Sequence, residues 1–178
     1  MPEAATGLSA WESFYVIVGS SAGALIGLQF VVMTLVADSG LRTQTGGLSA
    51  FSTPTIVHLT GALVVSAIMS APWPSLGPLS IALGTCGVGG LTYAVIVVRR
   101  AMRQTDYQPV WQDWLWYTAL PCTAYAAVLF DAVFLRGHNP LTLFLAAAVA
   151  LGLLLIGIHN AWDSVMHVVT ARREMKED

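Results

Sequence analysis

Charged side chains are scarce in this chain of 178 residues, of which only 10% are Asp, Glu, Lys or Arg. Soluble globular domains average nearer ~25% charged residues, so this deficit argues against a soluble fold. Lys and Arg form no long basic run, which argues against a nucleic-acid partner. With a hydrophobic content of 56%, the composition instead predicts a protein whose partner is the lipid bilayer.

Cysteine and the common catalytic motifs are also scarce or absent. The two cysteines, Cys86 and Cys122, fall inside long apolar runs and do not form a CxxC pair, so we expect no disulfide framework. The chain contains no HExxH, no GxSxG and no glycine-rich phosphate loop before a lysine. We therefore expect no catalytic residues and no enzymatic activity, and the sequence indicates no particular cofactor.

What the chain does contain is long apolar runs, the first of which extends from Phe14 to Ala37 without a formal charge. At ~1.5 Å rise per residue, a helix of this length crosses a hydrocarbon core of ~30 Å. The residues before it include Glu3 and Glu12 but neither Lys nor Arg, unlike a secretory signal. We therefore expect this run to be a retained membrane span.

Four further apolar runs follow, and they predict an all-α integral membrane protein. The expected fold is one transmembrane domain over residues 1–178, a bundle of about five helices. Thr53 and Pro54 resemble an N-cap and a first helical residue, and Pro121 is expected to kink the fourth helix. The predicted spans are about 14–37, 54–71, 78–98, 114–135 and 141–158, the last with a helical extension to about 170.

The distribution of Lys and Arg predicts the orientation of these spans. With five crossings, seven of the eight basic residues fall on one side of the membrane, and only Arg136 falls on the other. By the positive-inside rule, this places the C-terminus in the cytoplasm and the N-terminus outside. The seven are Arg42, Arg99, Arg100, Arg103, Arg172, Arg173 and Lys176.

Glycine recurs at every fourth position of the first span, at Gly19, Gly23 and Gly27. Residues at this spacing share one helix face, where the missing side chains let another backbone approach closely. We expect a packing face, used either within one bundle or between the subunits of a homo-oligomer. Gly152 of the fifth span is a further candidate for close helix packing.

The densest group of polar residues in the apolar part of the chain is His159, Asn160, Asp163 and His167. His159, Asp163 and His167 are spaced i, i+4 and i+8, which places them on one helix face. An Asp beside His can hold a proton or contribute metal ligands, so this stripe is a candidate ion, proton or metal site. The alternative is an interfacial polar stripe where the helix leaves the membrane.

Two other spans place polar residues at a comparable depth, with Gln29 in the first and His58 in the second. Polar residues from three helices at one depth predict a single buried cluster. The alternative is that Gln29 and His58 each hydrogen-bond a neighbouring helix and have only a packing role.

Asp131 and Glu12 are carboxylates near the opposite end of the predicted bundle. Asp131 lies inside the fourth span, where it is either a path-lining carboxylate or one paired locally with Arg136 or water. Glu12 shares a helix face with Gly19 and Gly23, so it forms a ring of charge if that face lines a subunit axis.

Three functional hypotheses follow. The first is a homo-oligomeric channel or transporter for small ions, with Glu12, Gln29, His58, Asp131, His159, Asn160 and Asp163 as candidate path residues. The second is a non-transporting scaffold or accessory subunit that docks partners through its glycine face. The third is a small membrane metalloprotein or enzyme that uses His159, Asp163 and His167. The segments FYVIVGSSAGALIGLQFVV, FSTPTIVH and GIHNAWD resemble stretches of small bacterial membrane proteins, which implies a bacterial inner membrane without pointing to a named family.

Overall fold

A computed structural model describes residues 7–38, 46–102, 111–137 and 140–177 of the chain. The elements in these ranges are all helical. The main helices are α1 (Glu12–Asp38), α2 (Gly46–Ser70), α3 (Leu76–Ala101), α4 (Leu120–Phe134) and α5 (Pro140–Glu177). Two short turns lead directly into α4, an α-helical turn (Trp111–Trp114) and a π-helical turn (Leu115–Ala119). A 3-10 turn (Leu135–Gly137) follows α4.

Five helical stretches are long and apolar enough to cross a membrane, which supports an integral membrane protein. This confirms the predicted all-α class and the number of spans in terms of helix length and composition. The stretches are Glu12–Leu35, Thr53–Ser70, Leu76–Arg99, Leu115–Gly137 and Pro140–Met166.

Two predictions of helix boundaries were wrong. Pro54 lies inside α2 and not at its start, because the helix begins at Gly46. Such a proline is tolerated in a membrane helix where neighbouring groups satisfy the carbonyl that it frees. The C-terminal helix also continues beyond the predicted limit near residue 170 and reaches Glu177.

The helices α3 and α4 run antiparallel, as the contacts of three glycines show. A side chain at Gly84 of α3 would meet Ala132, one at Gly87 would meet Leu129, and one at Gly90 would meet Tyr125. The bundle therefore has two ends. We call the end where α3 finishes the Arg99 end, and the end where α4 finishes the Arg136 end.

The centre of the bundle is formed by α2 and α5, which pack against each other more extensively than any other pair of helices. α1 packs on α2, and α3 packs on α4. Small and branched apolar side chains fill the interior between them. The members that are at most 2% exposed include Ala22, Leu59, Ala62, Val65, Leu79, Leu83, Val128, Ala150 and Leu153.

The predicted glycine face of α1 is only partly in contact within one chain. A Cβ at Gly19 would lie 3.1 Å from Ser66 Cβ on α2, whereas Gly23 and Gly27 have no heavy atom within 4 Å of such a position. Gly152 of α5 likewise has none. The use of Gly23, Gly27 and Gly152 as packing positions therefore stays a prediction about contacts outside this chain.

Candidate functional site

A buried hydrogen bond between α2 and α4 lies at the Arg99 half of the bundle. His58 is 1% exposed, and its Nδ1 lies 3.3 Å from the hydroxyl oxygen of Tyr125, which is 2% exposed. The Tyr125 hydroxyl also lies within donating distance of the Val57 carbonyl oxygen, at 3.5 Å, and which group donates in the His58–Tyr125 bond depends on the imidazole tautomer. His58 Nε2 has no hydrogen-bond partner in the described chain.

Two glycines enclose the Tyr125 ring and fix its position. A Cβ at Gly61 of α2 would lie 2.7 Å from the Tyr125 hydroxyl oxygen, and one at Gly90 of α3 would overlap the ring carbons. The close approach of helices that small residues allow in a membrane is therefore found here. Its result is that the phenol is held beside His58.

Asn160 and Gln29 lie about one helical turn nearer the Arg99 end. Asn160 of α5 is fully buried, and neither its amide oxygen nor its amide nitrogen has a hydrogen-bond partner in the described chain. Gln29 of α1 is 9% exposed and lines an otherwise apolar groove of about 240 Å³ between α1 and α5. The contact of Gly157 with Leu59 brings the α5 turn that carries Asn160 to the α2 turn that carries His58. We call His58, Tyr125, Asn160 and Gln29 the His58 level.

The predicted polar group on α5 divides between two faces. His159 stacks on Trp116 with ring centroids 3.7 Å apart, and Asp163 accepts a hydrogen bond of 3.0 Å from the Tyr117 hydroxyl. Both partners, Trp116 and Tyr117, belong to the π-helical turn. Leu120, the residue after this turn, donates its backbone N–H to Leu115 O, five residues earlier. Pro121 follows directly and has no N–H to donate. His159 and Asp163 thus pack against an aromatic turn, whereas Asn160 faces the core.

The structure brings together no metal-ligand set in the described residues. No group of three His, Cys, Asp or Glu side chains there is placed to hold a metal ion. The side chain of His167, the third member of the predicted metal stripe, lies outside the described residues.

Asp131 of α4 is a buried side chain whose carboxyl group has no hydrogen-bond partner in the described chain. It is 1% exposed. Arg136, its expected local partner, is exposed and makes no hydrogen bond to it. Tyr15 of α1 lies within electrostatic range of Asp131, but its hydroxyl donates to the carbonyl oxygen of Leu143 at 3.5 Å.

Apolar side chains separate Asp131 from the His58 level. Asp131 lies six residues before Gly137, roughly 9 Å along a helix axis from the Arg136 end. Buried residues of α2, α4 and α5 lie along these helices between the two, among them Ala62, Val65, Val128 and Leu153. Glu12, the remaining candidate, is exposed at the start of α1. Asp131 and the His58 level are thus separated within one apolar core, which also holds the buried Ser66, whose hydroxyl has no partner in the described chain.

Tyr125 is the main site residue that sequence reasoning missed. A tyrosine within an apolar run attracts less attention than His or Asp, because its ring is itself a good core side chain. The available signal was its position in the middle of a span, where a phenol hydroxyl needs a partner. Trp116 and Tyr117 were likewise not among the predicted site residues, and they contact His159 and Asp163.

Comparison of the chain with protein-family models, with curated proteins and with solved structures gives no match. The function is therefore inferred from the buried polar groups of the protein.

Proposed function

We propose that the protein is a small ion transporter or channel that works as a homo-oligomer, with Asp131 as its principal ion-binding residue. The observation that carries this proposal is a carboxyl group 1% exposed inside a membrane span, with both oxygens unpartnered. Ionisable side chains are costly inside a membrane, and they commonly mark ion pathways and proton relays.

The His58 level supports the same function from the other half of the bundle. His58 Nε2 and both polar atoms of the Asn160 amide are buried without partners in the described chain. A transported ion, or a water molecule that hydrates it, can bind to these groups one after the other. Because apolar side chains separate them from Asp131, we propose that the ion passes between the two sites during a change of helix packing.

The homo-oligomer is supported by the surface of α1. A Cβ added at Gly23 or Gly27 would meet no heavy atom of the described chain within 4 Å, and large apolar side chains of α1 are more than half exposed. With few extramembrane residues, one chain also offers little room for a path. We further propose a bacterial inner-membrane location with the C-terminus in the cytoplasm, as the Lys and Arg distribution indicates.

The test is a flux assay on purified protein in liposomes, with the oligomer mass determined on the same sample. We expect selective ion flux that falls to the level of protein-free vesicles in Asp131→Asn. Glu177→Gln is the matched control, since it removes a carboxyl at the C-terminal end of α5, outside the spans. A stable oligomer without flux for H⁺, Na⁺, K⁺ or Cl⁻ would overturn the proposal.

A second candidate function is a scaffold or accessory subunit, which the uncontacted Gly23 and Gly27 favour. In that case Gly23→Leu abolishes assembly, while Asp131→Asn and His58→Leu leave assembly unchanged. Gly89→Leu is the control, because Gly89 of α3 also has no heavy atom within 4 Å of an added Cβ. Equal loss of assembly in both glycine variants would contradict a role specific to the α1 face.

The metalloprotein hypothesis is the least supported of the three. The His159 ring and the Asp163 carboxylate are already engaged by Trp116 and Tyr117. Metal analysis of the purified protein before and after His159→Ala tests it, and stoichiometric metal lost in the variant would favour it.

A further inference from the structure

We propose that the ion handled at Asp131 is H⁺, held as a neutral carboxylic acid in a site closed to water from both ends of the bundle. This inference rests on the proposed function and names its ion. It is carried by the burial of Asp131, by the absence of partners for its oxygens in the described chain, and by the apolar side chains around it.

An ionised Asp131 would be an uncompensated charge in the core. The α4 face that carries Asp131 also carries Val128 and Leu135, both 2% exposed. No donor in the described chain reaches either carboxyl oxygen. An isolated carboxylate in such surroundings costs far more free energy than its neutral form, so the site requires a bound cation or a proton.

The structure favours a proton over a metal cation. Hard cations such as Ca²⁺ and Mg²⁺ require about six oxygen ligands, arranged around the ion. The described residues hold no cluster of three His, Cys, Asp or Glu side chains, and Asp131 is the only buried carboxylate among them. A proton needs a single oxygen lone pair, which one carboxylate supplies.

The charged and titratable groups on the packed helices leave Asp131 without a counter-charge. α1 contributes Tyr15, whose hydroxyl is engaged by Leu143 O, and the exposed Glu12 at its start. α5 contributes no titratable side chain between Pro140 and Ile158. The other groups that belong to α2, α3 and the fourth span are His58, Cys86, Tyr93, Tyr117, Cys122, Tyr125 and the exposed Arg99 and Arg136.

Proton exchange therefore needs an opening of the bundle. The proton adds to a carboxylate oxygen when water reaches Asp131 from one end, and it returns to water when the site opens again. The transfer consumes no other reactant, because a carboxylate and H⁺ form the acid and the acid releases them. The buried layer around Val65 and Val128 keeps the two polar sites apart in the closed state.

Carbodiimide labelling tests proton binding without reference to transport. A membrane-soluble carbodiimide adds to protonated carboxyl groups in apolar surroundings, and peptide mass spectrometry locates the adduct. We expect an adduct on Asp131 of the full-length protein in liposomes, lost in Asp131→Asn, retained in Glu177→Gln and decreasing as the pH is raised. An infrared carboxylic-acid band that disappears in Asp131→Asn is the second signature. Protection by Na⁺ or K⁺ at constant pH, or no adduct at acid pH, overturns the inference.

Flux measured on the same samples separates the inference from the proposed function. H⁺ flux that requires Asp131 and is retained in Asp131→Glu supports both. Na⁺ or K⁺ flux without labelling of Asp131 supports the transport function and overturns the proposal that the ion at Asp131 is H⁺. Labelling of Asp131 without any flux supports the proton site and overturns transport.

Discussion

His58 and Asp131 are both 1% exposed, yet they differ in how far their polar atoms are satisfied. His58 bonds Tyr125 through one ring nitrogen, and glycines of α2 and α3 hold that phenol in place, although His58 Nε2 and the Asn160 amide have no partner in the described chain. Neither oxygen of Asp131 has a hydrogen-bond partner in the described chain, and Val128 and Leu135 are buried on the same face of α4. The difference indicates that the His58–Tyr125 contact stabilises the bundle, whereas Asp131 and the other unpartnered groups are kept at a cost in stability. Proteins keep such costs mainly at functional sites.

The largest effect on stability is expected from Gly90→Ala, which disrupts the packing of Tyr125 beside His58. The new Cβ would overlap the Tyr125 ring, so the phenol must move away from His58. Overpacking of this kind costs about 1–3 kcal/mol, although alanine in place of glycine favours a helix by ~1 kcal/mol. Unfolding in mixed micelles measures the change.

The neighbouring residue provides the control for this substitution. Gly89 is exposed and has no heavy atom within 4 Å of an added Cβ, so Gly89→Ala is expected to be neutral or stabilising. If both variants are equally stable, the enclosure of Tyr125 does not contribute as described.

The second effect is an increase in stability. Asp131→Leu is expected to raise the free energy of unfolding by about 1–3 kcal/mol, because it removes a buried polar group without a partner. The same variant should lose flux in liposomes, so stability and activity change in opposite directions. Asp131→Asn keeps a polar group of similar shape and should show little stabilisation. A destabilised Asp131→Leu would indicate that the carboxyl has a partner in the folded protein.

A smaller effect is expected for the hydrogen bond at the His58 level. A double-mutant cycle with His58→Leu and Tyr125→Phe should give a coupling free energy of about 0.6 kcal/mol, the mean for hydrogen bonds between membrane helices. The cycle uses the same unfolding measurement. A matched cycle of His58→Leu with Tyr15→Phe should give no coupling, since the Tyr15 hydroxyl bonds Leu143 O.

The smallest effect is expected from Tyr117→Phe, which removes the hydrogen bond to the exposed Asp163. A hydrogen bond near water contributes little, so we expect a loss of about 0.5 kcal/mol or less. Trp111→Phe, at a side chain that is 71% exposed, is the comparison. A loss above ~2 kcal/mol in Tyr117→Phe would show that the aromatic turn is a structural anchor of α5.

The amino-acid sequence alone predicted the lipid environment, the helical class and the number of spans. These follow from local properties, because a run of about twenty apolar residues must satisfy its backbone hydrogen bonds internally wherever it crosses lipid. The same reasoning identified Asp131, His58 and Asn160 as costly residues in apolar runs. It misplaced the start of α2, because a proline inside a helix and a proline that begins one look alike in sequence.

Which glycines and which polar residues meet depends on how the helices pack. Gly61 and Gly90 contact Tyr125 closely, whereas a Cβ added at the regularly spaced Gly23 or Gly27 would meet no heavy atom of the described chain within 4 Å. Spacing along one helix shows which residues share a face, but it does not show which neighbour that face meets. The rotation and depth of each helix are set by packing against the others, and these joined His58 to Tyr125 and left Asp131 alone.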